Sequence, residues 1–114
     1  STLNDADQYV VVFWSTACSH CLREIPKLYT YMKDKTTMKV IAFALEDDGF
    51  VWNTYKERNL QGWHNILGLK KWKNETARTY QVNSTPTYLI LDKNKKIIAK
   101  PNEFNDVLAF LDKI

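Results

Sequence analysis

The sequence has few residues of the kinds that bind metals or form crosslinks. It contains two cysteines and two histidines in 114 residues, and a four-ligand zinc site made from these types would need all of them. His20 lies between the cysteines, where it is badly placed to join both in one tetrahedron. No run approaches the roughly 20 apolar residues of a membrane span, so we predict no transmembrane segment.

Internal repeats, low-complexity tracts and linkers are also absent, so we predict a single domain over residues 1–114. The net charge is +3, and the lysines are spread from Lys27 to Lys113 rather than concentrated, which argues against a nucleic-acid partner. A hydrophobic share of 45% against 25% charged residues predicts a globular fold. No signal peptide opens the chain. Its start at Ser1 leads us to expect that targeting information was removed upstream.

The hydrophobic pattern alternates between strands and helices. Apolar or β-branched runs predict strands over residues 9–14, 38–45, 63–67, 87–91 and 96–100. Amphipathic periodicity predicts helices over residues 19–35, 50–59, 74–80 and from Phe104 onward. We expect Pro26 to kink the first helix, the acidic pair in the stretch from Glu46 to Gly49 to cap the second, and Asn102 to cap the last.

This order of elements predicts the fold class. Strand–helix–strand alternation implies parallel pairing with right-handed crossovers, and the last two strands add an antiparallel hairpin at one edge. The predicted fold is therefore α/β, with a central mixed sheet of about five strands, helices on both faces and a C-terminal helix. In such sheets the chemistry collects at the carboxyl ends of the strands.

Both cysteines lie in one motif at a predicted strand-to-helix turn. Cys18 falls at or just before the first helical turn, where unpaired N–H groups and the helix dipole favour a thiolate. Cys21 lies one turn inside the helix, on the apolar face that it forms with Ile25, Leu28 and Met32. Cys18 is therefore the predicted attacking sulfur, and Cys21 can resolve the mixed disulfide that results.

The same two cysteines admit other functions. Thiolate pairs suit soft ions, so a metal-binding module for copper or zinc is an alternative from a different class, with His64 as a further candidate ligand. A structural disulfide, or inert thiols in an interaction domain, are further alternatives. A pair at this spacing near βα units is more typical of thiol–disulfide redox chemistry.

Three features together resemble the thioredoxin fold: the Cys-x-x-Cys after a βα turn, the Thr85-Pro86 pair that opens a later strand, and the closing hairpin with its helix. The run from Phe13 to Pro26 is similar to the pattern Phe-Trp-x-x-x-Cys-x-x-Cys-x-x-Glu-x-Pro. That pattern is typical of the TlpA/ResA-like group, extracytoplasmic bacterial thiol–disulfide oxidoreductases. Residues 46–72 resemble the helix–strand insertion that distinguishes this group.

The resemblance implies roles for individual residues. Cys18 matches the nucleophile and Cys21 the resolving cysteine, so the redox centre would be a Cys18–Cys21 disulfide with no other cofactor. Glu24 matches the buried active-site glutamate of the group, which would accept a proton. Pro86 matches the cis-proline, and its backbone and that of Thr85 would pair with an extended substrate.

Further residues are expected to contact the substrate or to tune the sulfur. We assign Ser19, His20 and Trp14 to the substrate-binding set, beside the two residues of the proline segment. His20 stands where family members often carry proline, and we expect its imidazole to stabilise the thiolate of the nucleophile. Such stabilisation would place the reduction potential between roughly −270 mV, the thioredoxin value, and about −120 mV, that of the strongest oxidant.

The resemblance also implies partners and a location. We expect protein disulfides or dithiols as substrates, an upstream redox donor and a monomeric protein. We expect a periplasmic or otherwise extracytoplasmic location, with a membrane or lipid tether outside this sequence. The predicted function is thiol–disulfide exchange as an extracytoplasmic reductase or isomerase.

Overall fold

Strands and helices alternate along the part of the chain that the computed structural model describes, residues 6–47, 49–69, 74–79, 82 and 84–113. The strands are β1 (Gln8–Trp14), β2 (Met38–Leu45), β3 (His64–Gly68), β4 (Thr87–Asp92) and β5 (Ile97–Ala99). The helices are α1 (Ser19–Met32), α2 (Phe50–Asn59), α3 (Glu75–Thr79) and α4 (Phe104–Asp112). Among the described residues, no helix is both long and apolar enough to cross a membrane.

These bounds confirm the predicted order of elements and differ from it mainly at the ends. Strand β2 and helix α2 have the predicted bounds, whereas α1 ends at Met32 and the next residues form a turn. Residue 80, the predicted end of the third helix, lies outside the described residues. So do residues 48 and 70–72 of the predicted insertion, whose described part contains α2 and β3.

The predicted cap of α4 is wrong, and the predicted cap of α2 lies partly outside the described residues, at residue 48. Helix α4 starts at Phe104, so its N-cap is the extended Glu103 and not Asn102, and no side chain caps it. Helix α2 has Gly49 as N-cap, also without a side-chain hydrogen bond. The carboxylate of Glu46 does not cap α2 because it bonds to a different turn, as described below.

Strand β1 is at the centre of one five-stranded mixed sheet with the order β3-β2-β1-β4-β5. It pairs in parallel with β2, so that Trp14 lies opposite Ala44. On its other side it pairs antiparallel with β4, where Phe13 lies opposite Thr87. The carboxyl end of β1 therefore lies beside the end of β2 and the beginning of β4, and these three segments meet at one edge of the sheet.

Alternation along β1 divides the core between the two faces of the sheet. Val10, Val12 and Trp14 belong to the larger buried cluster, to which α1, α2 and α4 also contribute side chains. Val11 and Phe13 belong to a smaller cluster on the opposite face. Since both faces are covered, the strand reads as a continuous apolar run rather than as an alternating one.

Helix α1 lies on the larger cluster through the apolar face predicted from its spacing. Cys21, Ile25, Leu28 and Met32 are its buried side chains. Pro26 lies inside the helix, which continues through it, and the predicted kink stays a prediction. The helix that carries both cysteines is therefore held to the sheet by the residues that follow them.

Replacing Leu28 by alanine should lower the free energy of unfolding by about 2–5 kcal/mol, because it removes a fully buried side chain and leaves a cavity. Leu22→Ala on the exposed side of the same helix is the matched control, with an expected loss of about 0.5 kcal/mol. Denaturant unfolding of both variants measures the difference. Equal losses would contradict this account of how α1 is held.

Candidate active site

A tight turn between β1 and α1 places the first cysteine at the start of the helix. The Cys18 N–H donates to the Ser15 carbonyl at 3.1 Å, which closes the turn. Cys18 has extended backbone angles and is the N-cap of α1. Its sulfur accepts a hydrogen bond from the backbone N–H of Cys21 at 3.1 Å. The thiol thus takes the place of the oxygen that usually caps a helix, at the positive end of the helix dipole.

The two thiols, both free in the structure, differ in exposure and acidity. Burial acts to raise the pKa of the Cys18 thiol. Hydrogen bonds from the side chains of Cys21 and Thr85 and from the backbone of Cys21 and His20 outweigh it and hold the pKa below its usual value. Cys21 is fully buried, and burial together with its bond to Cys18 raises the pKa of its thiol to about 12. Cys18 is therefore suited to react as a thiolate while Cys21 stays protonated.

The segment before β4 faces the reactive sulfur. The peptide bond between Thr85 and Pro86 is cis. The Thr85 carbonyl accepts a hydrogen bond from Cys18 Sγ at 3.5 Å. The structure thus brings together the two parts of the chain that the resemblance paired, although 67 residues separate them in sequence.

Glu24 is held by two side chains on the side of α1 that faces this segment. The Tyr88 hydroxyl donates to Glu24 Oε1 at 2.6 Å, and His20 Nε2 lies 2.5 Å from Glu24 Oε2. The Glu24 side chain is 15% exposed, so it is partly accessible where the resemblance implied a buried group. Its carboxylate connects a buried phenol to an exposed imidazole.

Tyr88 is a functional candidate that the sequence analysis missed. Its side chain is almost fully buried, and burial and then the Glu24 carboxylate hold the pKa of its hydroxyl far above the usual value. Tyr88 therefore remains a hydrogen-bond donor. A signal was present in the sequence, because a residue two positions beyond Pro86 on a strand has its side chain on the same face.

The structure places His20 differently from the expectation. Its imidazole is 57% exposed and pairs with Glu24 four residues on, because residues at this spacing are neighbours on a helix surface. Its contribution to the low pKa of the Cys18 thiol comes from the backbone N–H. The imidazole is thus engaged with a carboxylate rather than with the sulfur.

Trp14 and Ser19 complete the predicted set. Ser19 is exposed beside Cys18, where a substrate can reach it. Trp14 is fully buried and packs against Tyr55, with the ring centroids 5.4 Å apart. Its side chain supports the turn from beneath and does not line the surface, so we remove Trp14 from the substrate-contacting residues.

A second missed residue lies on the other side of the turn. Glu46 follows β2 and is 5% exposed. Its carboxylate accepts hydrogen bonds from Ser15 Oγ at 2.7 Å, from the Thr16 N–H at 3.2 Å and from Thr16 Oγ1. The sequence gave no sign of this contact beyond the position of an acidic residue at the end of a buried strand.

A cleft of about 630 Å³ opens between α1, the proline segment and the start of α4, and it includes Thr85, whose carbonyl contacts the Cys18 sulfur. His20, Glu24 and Tyr88 form part of one wall, and Thr85 and Pro86 lie on another. The rest of the lining consists of Lys27, Ser84, Asn102, Glu103, Phe104 and Asn105. The cleft has both charges and several amide groups, which suits a polar peptide.

The metal alternative finds no support in the geometry. In the described part of the chain, no three or more His, Cys, Asp or Glu side chains are grouped so that they could hold a metal ion. His64 lies on β3, two strands away from β1, and is paired with Ile41 of β2. It is therefore not in the motif that carries the cysteines.

Comparison with known proteins agrees with this arrangement. A family model described as thioredoxin-like matches residues 6–97. A search of curated protein sequences finds no match to this chain. Among solved structures, the chain is similar to a domain titled a "possible thiol-disulfide isomerase" from Cytophaga hutchinsonii. The two are 30% identical with a TM-score of 0.79, and the match covers 96% of this chain and 76% of that one.

Two further structures are similar in fold at lower identity. A thiol-disulfide oxidoreductase from Bacteroides fragilis is 20% identical with a TM-score of 0.77, over 93% of this chain and 80% of that one. StoA from Bacillus subtilis is 17% identical with a TM-score of 0.71, over 94% of this chain and 84% of that one. The sheet order and the placement of the helices are thus shared with proteins distant in sequence.

Alkylation should distinguish the two cysteines. Iodoacetamide should modify Cys18 first, with a pH midpoint below that of an ordinary exposed thiol, because hydrogen bonds stabilise its thiolate. Cys21 should remain unmodified over the same time, since it is buried and its pKa is raised to about 12. Mass spectrometry of the quenched, digested protein gives both rates. Equal rates would contradict the assignment.

Proposed function

The chain belongs to the thioredoxin-like family, and from this premise we propose that it is a thiol–disulfide oxidoreductase that exchanges its Cys18–Cys21 pair with disulfides or dithiols in other proteins. One observation carries the proposal: two neighbouring thiols have opposite pKa shifts, and the more acidic one faces the cis-proline segment. A structural pair of cysteines would need neither the asymmetry nor the exposure of Cys18.

In the reducing direction the reaction has two steps. The Cys18 thiolate attacks one sulfur of a substrate disulfide, that bond breaks, and a mixed disulfide forms while the first substrate thiolate leaves. Cys21 then loses its proton and attacks Cys18 Sγ, which releases the second substrate thiolate. The substrate gains two electrons and the protein is left with the Cys18–Cys21 disulfide. The reverse sequence oxidises a substrate dithiol.

The substrate peptide is proposed to lie along the cleft and to pair with the backbone of Thr85 and Pro86. The Thr85 carbonyl accepts the Cys18 thiol only while that thiol carries its proton. Once Cys18 is a thiolate it cannot donate, and the carbonyl becomes free to accept a backbone N–H from an extended substrate. Ser19 and His20 follow Cys18 in the first turn of α1, and both are exposed.

Glu24 is proposed to accept the proton that Cys21 must lose before the second step. The charges of both sulfurs as well as that of Glu24 raise the pKa of Tyr88, so the phenol lies within electrostatic reach of all three groups. Tyr88 donates its hydrogen bond to the carboxylate, and the exposed His20 connects that carboxylate with solvent. This arrangement supports the transfer of a proton out of the site.

The position of the imidazole supports a proposed direction of electron flow. An imidazole that stabilised the Cys18 thiolate would favour the reduced form and make the disulfide a strong oxidant. Here it is paired with Glu24, which supports a reductase or isomerase. The resemblance to the TlpA/ResA-like group supports an extracytoplasmic location, an upstream redox donor and a tether outside this sequence.

Cys21→Ser should trap the proposed intermediate. With a protein disulfide such as insulin, this variant should accumulate a mixed disulfide through Cys18, because the resolving thiol is gone. Cys18→Ser is the matched control and should form none. Non-reducing electrophoresis and mass spectrometry detect the adduct. If both variants behave alike, or if the wild-type protein reduces no disulfide, the proposed function is wrong.

Glu24→Gln should slow the second step by about 100-fold and leave the first nearly unchanged, because a proton acceptor is lost while the thiolate is not. An aromatic disulfide that releases a coloured thiolate at each step separates the two rates in a stopped-flow experiment. Glu57→Gln, at an exposed glutamate of α2, is the control. Equal slowing of both steps would show that Glu24 acts otherwise.

A further inference from the structure

Two buried polar side chains lie together at the turn before Cys18. Ser15 is 1% exposed and Glu46 is 5% exposed, and they are hydrogen-bonded to each other. They come from different strands, since Ser15 follows β1 and Glu46 follows β2. Parallel pairing of these strands brings the two side chains to the same edge of the sheet.

A buried carboxylate is costly unless its oxygens are hydrogen-bonded. In the described part of the chain Glu46 has no ion pair, since the salt bridge found there joins His20 to Glu24. Its three hydrogen bonds come instead from Ser15 and Thr16, through the two hydroxyls and one backbone N–H. These three hydrogen bonds to the carboxylate therefore all come from the turn that leads to Cys18.

The contacts continue from that turn to the nucleophile. Ser15 Oγ donates to Glu46 and accepts the Ala17 N–H at 3.1 Å. The Ser15 carbonyl accepts the Cys18 N–H at 3.1 Å. Ser15 thus connects the carboxylate with both residues: its hydroxyl bonds to Glu46 and to the Ala17 N–H, and its carbonyl accepts the Cys18 N–H.

We propose that Glu46 is a positioning residue that braces the Ser15–Cys18 turn and so holds the Cys18 sulfur at the N-terminus of α1. The brace leaves Cys18 Sγ in line with the N–H of Cys21 and opposite the carbonyl of Thr85. This inference rests on the proposed thiol exchange, because it concerns the same sulfur. It adds a residue that contacts neither sulfur nor substrate.

Two effects of Glu46 on Cys18 have opposite signs, which makes the proposal testable. As a nearby negative charge alone, Glu46 would disfavour the thiolate, so its neutralisation would lower the pKa of Cys18. As a brace, Glu46 keeps the sulfur beside its hydrogen-bond donors, so its removal would raise that pKa. The sign of the change in the alkylation midpoint therefore separates positioning from simple electrostatics.

The test compares Glu46→Gln and Thr16→Val in the full chain, with Glu57→Gln as the control. Thr16→Val removes one hydrogen bond to Glu46 and keeps the charge of Glu46, so it separates the effect of positioning from that of the charge. Both variants should move the iodoacetamide midpoint of Cys18 to higher pH, with a rate about tenfold lower at neutral pH. Thr16→Ser keeps the hydroxyl and should restore the wild-type midpoint. Near-ultraviolet circular dichroism establishes that each variant is folded.

A lower midpoint in Glu46→Gln would overturn the proposal in favour of a purely electrostatic role. Unchanged midpoints in folded Glu46→Gln and Thr16→Val would also overturn it. Alkylation needs no disulfide substrate, so this readout does not depend on the proposed function. If the wild-type protein reduces no disulfide but the two variants show these midpoint shifts, the proposed function is refuted and the positioning role of Glu46 is retained.

Discussion

The contact on which the site depends is the hydrogen bond from the Cys21 backbone N–H to the sulfur of Cys18. It is available because the first turn of a helix leaves its N–H groups without partners inside the helix. A serine or aspartate at the same place would satisfy these groups equally well but would bring no redox chemistry. The thiol satisfies the helix end and is made more acidic by doing so.

The sheet determines what else can surround that sulfur. Parallel pairing of β1 and β2 aligns their carboxyl ends, which places Glu46 beside the turn before Cys18. Antiparallel pairing of β1 and β4 brings the beginning of β4 to the same edge, which places Thr85 against Cys18. The start of α1 makes the Cys18 thiol more acidic, and the neighbouring strands position the residues that contact Cys18 and the turn before it. Neither set of contacts exists without the register of the central strand.

The features that could be predicted from the sequence are those that depend on residues close together in the chain. The apolar face of α1 follows from side-chain spacing, and the acidity of Cys18 follows from its place at a helix start. The pairs that the sequence analysis missed connect distant positions, since Tyr88 and Glu24 are 64 residues apart and Glu46 and Ser15 are 31 apart. Such contacts depend on strand register, which no local pattern fixes. The wrong cap at Asn102 has the opposite origin, because a local preference was overridden where α4 begins at Phe104.

Cys21 is at once the resolving thiol and a fully buried member of the main cluster, beside Ile25 and Val12. Oxidation or reduction of Cys21 therefore changes a side chain of the core as well as one of the site. In a thermodynamic cycle, any difference in folding free energy between the dithiol and disulfide forms corresponds, through ΔG = −nFΔE, to a difference in reduction potential between the folded and unfolded chains. Selection acting on the potential of this protein consequently acts on its conformational stability through the same side chain.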